Sequence, residues 1–375
     1  MDDILIVGAG PVGLAMGCFL AQAERRVRVF EAQEGEGAHF RAIGIHPPAL
    51  EVLAQIGVAH ELVECGMPIE RARVYEEGRL LGALTFESCP GPYRFVLTVP
   101  QPATERVLRA RLEELAPGSL CTGSRVTGVR AGPEGVTLQF ADGREVSGGF
   151  VVGADGRRST VREAVGVGYT GGAHDHHYVM ADMEEAQSGG PAPFGGQRLG
   201  TDAAIILSRA GVVEAFPLPG GRRRWVARTP GRVTEDVLPE LQRAVAQRSG
   251  VRLAGEVVAC SAFTAESRQA RRMLGDWWAL VGDAAHVVSP IGGQGMNLGL
   301  LGVPAVGKAL LAGALPGGAG RLRRRAAAAS RRALLNMALG SAGFPPLLRS
   351  LAVRSVLSRP LRARAARYFT MRGLP

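Results

Sequence analysis

Three glycine-bearing motifs hold most of the chemistry this sequence can offer. The first is Gly8-Ala9-Gly10-Pro11-Val12-Gly13, with Glu31 eighteen residues beyond its last glycine. Gly8 permits a tight turn out of a strand, and Gly10 lets the backbone approach a pyrophosphate. Gly13 lets a helix pack closely on that strand, and the helix N-terminus presents N–H groups and the positive end of its dipole. An acid closing the second strand can accept hydrogen bonds from ribose hydroxyls. A lone GxGxxG is weak evidence. Strand, turn, helix, second strand and acid at this spacing predict a bound dinucleotide rather than a structural turn.

The second motif, Gly153-Ala154-Asp155-Gly156-Arg157-Arg158-Ser159-Thr160-Val161-Arg162, follows the apolar run Phe150-Val151-Val152. Taken alone, it reads equally well as an Asp-Gly turn before a Ser-capped helix. The third is Val281-Gly282-Asp283-Ala284-Ala285-His286, followed by Pro290 and by Gly292-Gly293-Gln294-Gly295-Met296-Asn297. Asp283 leaves a buried strand, where its carboxylate can meet a ribose or ribityl hydroxyl. The glycines lead into a helix whose first N–H groups can face developing negative charge on a ring ligand.

These motifs need elements to position them. Ile4 to Val7 reads as a short buried strand, a helix starts near Pro11, and Val27-Arg28-Val29-Phe30 supplies a second strand, completing a βαβ unit. The uncharged run from Ile4 to Ala23 would trip a membrane-span or signal-peptide test. The acidic start Met1-Asp2-Asp3 and the interrupting glycines argue against both. Residues 42–66 and 103–115 have helical periodicity, and 71–86 alternates as two strands around Glu77-Gly78. Residues 168–200 read as loop-rich. The runs 178–183, 203–207, 212–216 and 225–228 read as an antiparallel sheet, and 278–281 as another buried strand. Beyond Gly295 the chain reads as mostly helical.

Composition excludes several classes. The chain is 46% hydrophobic and 21% charged, which fits a globular protein and not a disordered one. Glycine fills 52 of 375 positions, about twice its usual share of ~7%, without a collagen period. The five cysteines are scattered, which predicts no disulfide framework and a reducing compartment. His174-Asp175-His176-His177 lacks helical register and a cysteine partner, so it reads as a solvated loop and no metal site is expected. The net charge of +10 is uneven: after Asp283 come 13 arginines, Lys308 and no carboxylate, while the rest sums to −4. Two readings stay open for this tail. One is a helical layer with its arginines in water. The other is amphipathic helices in weak contact with an anionic membrane.

In this order, between Ile4 and about Val303, the three motifs resemble the FAD-dependent monooxygenases of the para-hydroxybenzoate hydroxylase fold, a group that includes aromatic-ring and ubiquinone-pathway hydroxylases. Arg41-Ala42-Ile43-Gly44-Ile45 ahead of a helix, and Gln101 just before the helix over 104–115, match cofactor-contacting positions of that family. Val126 stands where the family contacts adenine through the backbone. The resemblance implies an α/β fold: a Rossmann-type FAD-binding domain (1–70, 93–170 and 264–320), an inserted antiparallel β-sheet substrate domain (71–92 and 171–263) and a basic helical C-terminal segment (321–375). It implies that Gly8, Gly10, Pro11, Val12, Gly13, Glu31 and Ala32 hold the ADP half of non-covalent FAD. Asp155 and Gly156 would serve both FAD and the nicotinamide donor, and Asp283 the ribityl chain. Gly293, Gly295, Met296 and Asn297 would lie against the flavin pyrimidine edge. Arg41, which sets the flavin's position, and the carbonyl of Pro290, near its reactive face, would be the catalytic contacts.

The implied reaction uses NADPH or NADH, docking transiently because no second GxGxxG exists, and O2. It hydroxylates an aromatic or polyketide-like small molecule through a flavin C4a-hydroperoxide. A geranylgeranyl-reductase-type enzyme and a non-catalytic FAD-bound ligand-binding protein are the alternatives. A cytoplasmic protein without nucleic-acid partners is expected.

Overall fold

A computed structural model describes residues 3–35, 42–132, 135–185, 199–290, 292–313, 319–340 and 345–374. The chain opens with β1 (Ile4–Val7), α1 (Pro11–Gln22) and β2 (Val27–Phe30). It continues through β3 (Gly44–Ile45), α2 (Pro47–Gln55), α3 (Ala59–Cys65), β4 (Met67–Ile69), β5 (Arg71–Glu76), β6 (Arg79–Thr85), β7 (Val96–Thr98) and α4 (Gln101–Leu115). Then come β8 (Leu120–Cys121), β9 (Val126–Gly132), β10 (Gly135–Phe140), β11 (Glu145–Gly148), β12 (Phe150–Gly153) and α5 (Thr160–Ala164). The next run is β13 (Tyr169–Glu184), β14 (Ala203–Leu207), β15 (Val213–Leu218), β16 (Arg222–Thr229), α6 (Val237–Ser249), β17 (Val257–Ala270), β18 (Trp278–Leu280) and β19 (His286–Val287). Four helices follow: α7 (Gln294–Leu311), α8 (Ala319–Leu339), α9 (Pro346–Leu357) and α10 (Arg359–Phe369).

The nucleotide side is a five-stranded sheet in the order β18-β12-β1-β2-β8, all parallel. All four residues of β1 are buried, as a central parallel strand requires. The uncharged run the sequence carries here is core: α1 buries Leu14, Met16, Cys18 and Leu20 between the sheet, α4 and α7. Two three-stranded sheets, β11-β10-β9 and β3-β7-β4, flank it.

The second body is an eight-stranded sheet, β19-β17-β13-β16-β15-β14-β5-β6, antiparallel except for the β5–β14 pair. One face carries Val179, Ala181, Trp225, Ala227 and Val213 onto Leu241, Ala244 and Val245 of α6. The alternate residues, Tyr178, Met180, Val226 and Phe216, look the other way, into a cavity.

Three expectations need correction. Residues 42–66 are not one helix but β3, α2 and α3, because Gly57 turns left-handed (φ +82°) and stops the first helix. Residues 169–184 are not loop: they form β13, which pairs with β17 as far back as Tyr169 opposite Ala270, with a register shift between Ala173 and His177. Residues 186–198 lie outside the described set. Pairing with β17 overrides the weak strand preference of the glycines and histidines. Helix α6 and the 14-residue β17 stand between Arg228 and Trp278, where no element was expected. As a result, β13 and β17 run continuously across the positions expected to divide the two domains.

Candidate active site

The turn after β1 fits a nucleotide. Gly8 has φ +102°, and a Cβ there would lie 2.5 Å from the Ala154 carbonyl oxygen. A Cβ on Gly13 would run into the Gly8 carbonyl oxygen, while one on Gly10 would meet nothing within 4 Å. The turn is therefore pinned behind and open in front, where Gly10, Pro11 and Val12 line the cavity. Glu31 sits at the end of β2 and accepts from the Ala9 N–H (2.8 Å) and the Gln33 N–H (3.0 Å). Each oxygen keeps lone-pair capacity for a hydroxyl. Ala32 is half-buried beside it, and Val126 is buried at the start of β9 without lining the cavity. These residues fit the ADP half of a dinucleotide.

The second motif is a capping turn in the structure. Asp155 Oδ2 accepts from the Val161 N–H (3.1 Å), and Ser159 Oγ from the Arg162 N–H (2.9 Å). Burial pushes the Asp155 carboxyl up, against the hydrogen bonds that favour its charged form. Gly156 and Arg157, not Asp155, line the cavity.

Asp283 is exposed on the cavity wall in a single 3₁₀ turn. Two residues whose role the sequence reading missed brace it. The Tyr169 hydroxyl donates to the Asp283 carbonyl (2.8 Å). The buried Arg162 lies 4.1 Å over the Tyr169 ring and donates to the Ala284 carbonyl (3.3 Å). The available signal was Arg162 itself, the last residue of the second motif.

Gly293 caps α7 in left-handed conformation (φ +64°). Asn297 is fully buried and acts as a clasp: its Oδ1 accepts from the His46 N–H (2.7 Å), and its Nδ2 donates to the Gly44 (2.8 Å) and Gly293 (2.6 Å) carbonyls. Gly293, Gly295, Met296 and Pro290 line the cavity, whereas Asn297 lies behind it. Gln101 is the first residue of α4, accepts from the Ala42 N–H (3.4 Å) and lines the cavity. His46 lines it too, and burial lowers its imidazole to about 4, so it is neutral near pH 7. Arg41 lies outside the described residues. The histidine cluster expected in a loop sits on β13, where His177 contacts Thr264 Oγ1 (3.0 Å) and Asp175 (3.1 Å). Among the described residues no group of three His, Cys, Asp or Glu side chains could hold a metal.

The cavity is continuous, about 1430 Å³. It runs from Gly10 past Asp283 and Met296 to the sheet, where Val74, Ile205 and Phe216 form a wall and Met337, Val353 and Leu357 of the last helices form a roof. A pocket for one small ligand is roughly 300–1,000 Å³, so this space suits a long cofactor with a second organic molecule. The sheet wall is largely apolar, but Tyr178, Glu214, His177, Thr264 and Arg232 also line the cavity, as does Arg224, which is paired with Asp182 (2.6 and 2.7 Å). Burial pushes the Glu214 carboxyl up to about 7.

A Rossmann-type cradle opening into a chamber walled by an antiparallel sheet defines a nucleotide-cofactor protein with a built-in ligand site. The chain belongs to the FAD binding domain family, which its residues 1–339 match. It is 32% identical over 307 residues to rifampicin monooxygenase of Streptomyces venezuelae, covering 80% of this chain and 62% of the relative. It is 30% identical over 325 residues to ubiquinone hydroxylase UbiL of Rhodospirillum rubrum, covering 83% and 72%. Among solved structures, the Diels-Alderase PyrE3 of pyrroindomycin biosynthesis aligns with a TM-score of 0.83 at 27% identity, covering 99% of this chain and 81% of that one. The chain spans 62%, 53% and 63% of the length of the first three curated relatives it matches.

Proposed function

We propose that the protein is a FAD-dependent monooxygenase that uses NAD(P)H and O2 to hydroxylate an aromatic or polyketide-like small molecule. The single cavity joining the nucleotide cradle to an apolar chamber carries this reading. Bound FAD would supply the redox chemistry between the nicotinamide donor and oxygen. Residues 1–70, 93–170 and 264–320 serve the cofactor, and 71–92 with 171–263 serve the substrate. Gly8, Gly10, Pro11, Val12, Gly13, Glu31 and Ala32 hold the ADP half, with Val126 beneath the adenine end. Asp283 accepts from the ribityl chain. Gly293, Gly295 and Met296 face the pyrimidine edge, Asn297 holds Gly293 from behind, and Gln101 reaches the flavin side. Asp155 and Gly156 shape the turn where the donor approaches. The Pro290 carbonyl lies near the reacting face, and Arg41 contacts the cofactor and helps set the flavin's position. The apolar wall keeps water from the reaction.

Purified holoprotein, screened with polycyclic phenols, is expected to oxidise NADH or NADPH faster with ligand and to place ¹⁸O from O2 in the product. NAD(P)H-independent conversion of a ligand would instead support catalysis without net oxidation, the second reading that the likeness to a Diels-Alderase favours. Asp283→Ala is expected to fold normally and to bind FAD about tenfold more weakly, through loss of an acceptor for a hydroxyl. Equilibrium dialysis against FAD checks this, and unchanged affinity would remove Asp283 from the site.

The last helices support a finer proposal, a cytoplasmic protein in peripheral contact with an anionic membrane surface. Leu334, Leu335, Leu348 and Leu351 are exposed in a stretch rich in arginine and free of acids. Among the described residues no helix is long and apolar enough to cross a membrane. Pelleting with anionic vesicles at low salt, lost at high salt and absent with neutral vesicles, is the expected result. No pelleting at low salt would leave these helices as a solvated layer.

A further inference from the structure

The chamber wall holds two polar groups that no other described residue satisfies. Glu214, on β15, is 8% exposed and lines the cavity. Its carboxylate makes no hydrogen bond or ion pair among the described residues. Tyr178, on β13, is 1% exposed, also lines the cavity, and its hydroxyl has no partner. Its ring stacks on Phe263 at 5.2 Å, which fixes its direction. The register puts both side chains on one face: Tyr178 stands opposite Arg228 and Glu214 opposite Val226, and Arg228 and Val226 are alternate residues of β16. The two are close enough that the Glu214 charge acts on the Tyr178 hydroxyl.

A carboxylate and a hydroxyl buried without partners each lose solvation that some other group has to replace. No described side chain bonds either group, although His174, Asp175, His177, Arg232 and Glu266 also line the cavity and the buried Arg228 Nε is itself without a partner. Ile205 and Val226 stand directly opposite Glu214 on the neighbouring strands. Arg224 is held by both oxygens of Asp182, and Arg228 acts on Tyr178. From the roof, the cavity receives Asn336, Met337, Ala352, Val353, Val356 and Leu357, none of them titratable. Burial alone raises the Glu214 carboxyl to about 7, which suits a proton acceptor at neutral pH.

We propose that Glu214 and Tyr178 form a paired anchor for an aromatic or enolic hydroxyl, which donates to the Glu214 carboxylate while its oxygen accepts from the Tyr178 O–H. The anchor also prepares the ligand for reaction. The ligand O–H bond breaks, the proton passes to Glu214, and the electron pair stays on the ligand oxygen, held by the Tyr178 hydroxyl. The resulting phenolate or enolate pushes electron density into its ring and makes the ring a better acceptor of an electrophilic oxygen. This rests on the hydroxylase reading and names the substrate class: a hydroxylated polycycle whose hydroxyl reaches the sheet.

Binding alone tests it, so its failure is distinct from an absence of turnover. The probes are 2-naphthol and its methyl ether, 2-methoxynaphthalene, titrated into FAD-loaded protein between about pH 5.5 and 8.5, where a phenol stays neutral. A phenol that donates to the Glu214 carboxylate lowers that group's pKa. The affinity for 2-naphthol should therefore rise about tenfold as pH climbs through 7. The ether, which has no proton to give, should bind more weakly over the same range, because it must sit against an unsatisfied charge. In Glu214→Gln both slopes should vanish, and 2-naphthol should bind about tenfold more weakly at the upper pH. Should that variant not fold, the opposite slopes of the two probes in the wild-type protein still decide. Parallel slopes, a Gln variant that keeps the naphthol slope, or no naphthol binding at its solubility limit would overturn the proposal.

Discussion

Gly13→Ala is expected to yield protein that retains no FAD and is destabilised by more than about 4 kcal/mol, in the range reserved for a few severe mechanisms. The added methyl would be driven into the Gly8 carbonyl oxygen, a backbone atom whose residue is pinned against Ala154 and Asp155. Neither side can give without opening the packing of α1 on β1. Gly10→Ala is the control. Its methyl would enter open space at the mouth of the turn, so the protein should fold with an unchanged melting temperature. Its FAD affinity should still fall, because the methyl occupies the position where the backbone must approach a pyrophosphate. Thermal melts with and without added FAD, plus flavin content after gel filtration, read both. A Gly13→Ala protein that melts like the wild type would mean the turn is not held as described.

The second large effect is expected at the roof. Arg349 is fully buried on α9, donates to Glu76 Oε1 (2.6 Å) and to the Ser208 carbonyl (3.2 Å), and Ser350 donates to the other oxygen of Glu76. Arg349→Ala strands the Glu76 carboxylate, and losing one member of a buried pair costs about 3–5 kcal/mol. Urea unfolding should show that loss. The double variant Arg349→Met, Glu76→Leu should be more stable than Arg349→Ala, because no charge is left buried. A loss below about 1 kcal/mol for Arg349→Ala would mean that the helices are held by apolar packing alone.

What the sequence made legible was local. Glycines, a strand, a helix and an acid within about thirty residues define the first cradle, and its reading needed no partner from elsewhere in the chain. The Ser159 cap was legible for the same reason. What stayed hidden depends on distant partners. Asn297 looks like one more polar residue at a helix start until His46 is brought to it from 251 positions away. Residues 169–177 look like a glycine-histidine loop until β17 supplies the ladder. Glu214 shows nothing in sequence, because an acid in an alternating strand ordinarily faces water, and here it faces a cavity closed by distant elements. The 42–66 segment was misread for an opposite reason: its apolar period carries on past Gly57, where the backbone turns left-handed.

The strand order of the nucleotide sheet also governs when the cradle can exist. β1 needs β12 beside it, β12 needs β18, and the clasp needs Asn297. At a synthesis rate of about 5–20 residues per second, roughly 15–60 s separate the emergence of the first glycine turn from that of the residue that locks it. For about the first half of that interval, until β12 emerges, one edge of β1, four apolar residues long, is exposed to any strand that arrives first. The cofactor site is therefore a late product of assembly, and a fragment ending before residue 278 carries the whole fingerprint without the architecture that makes it a site.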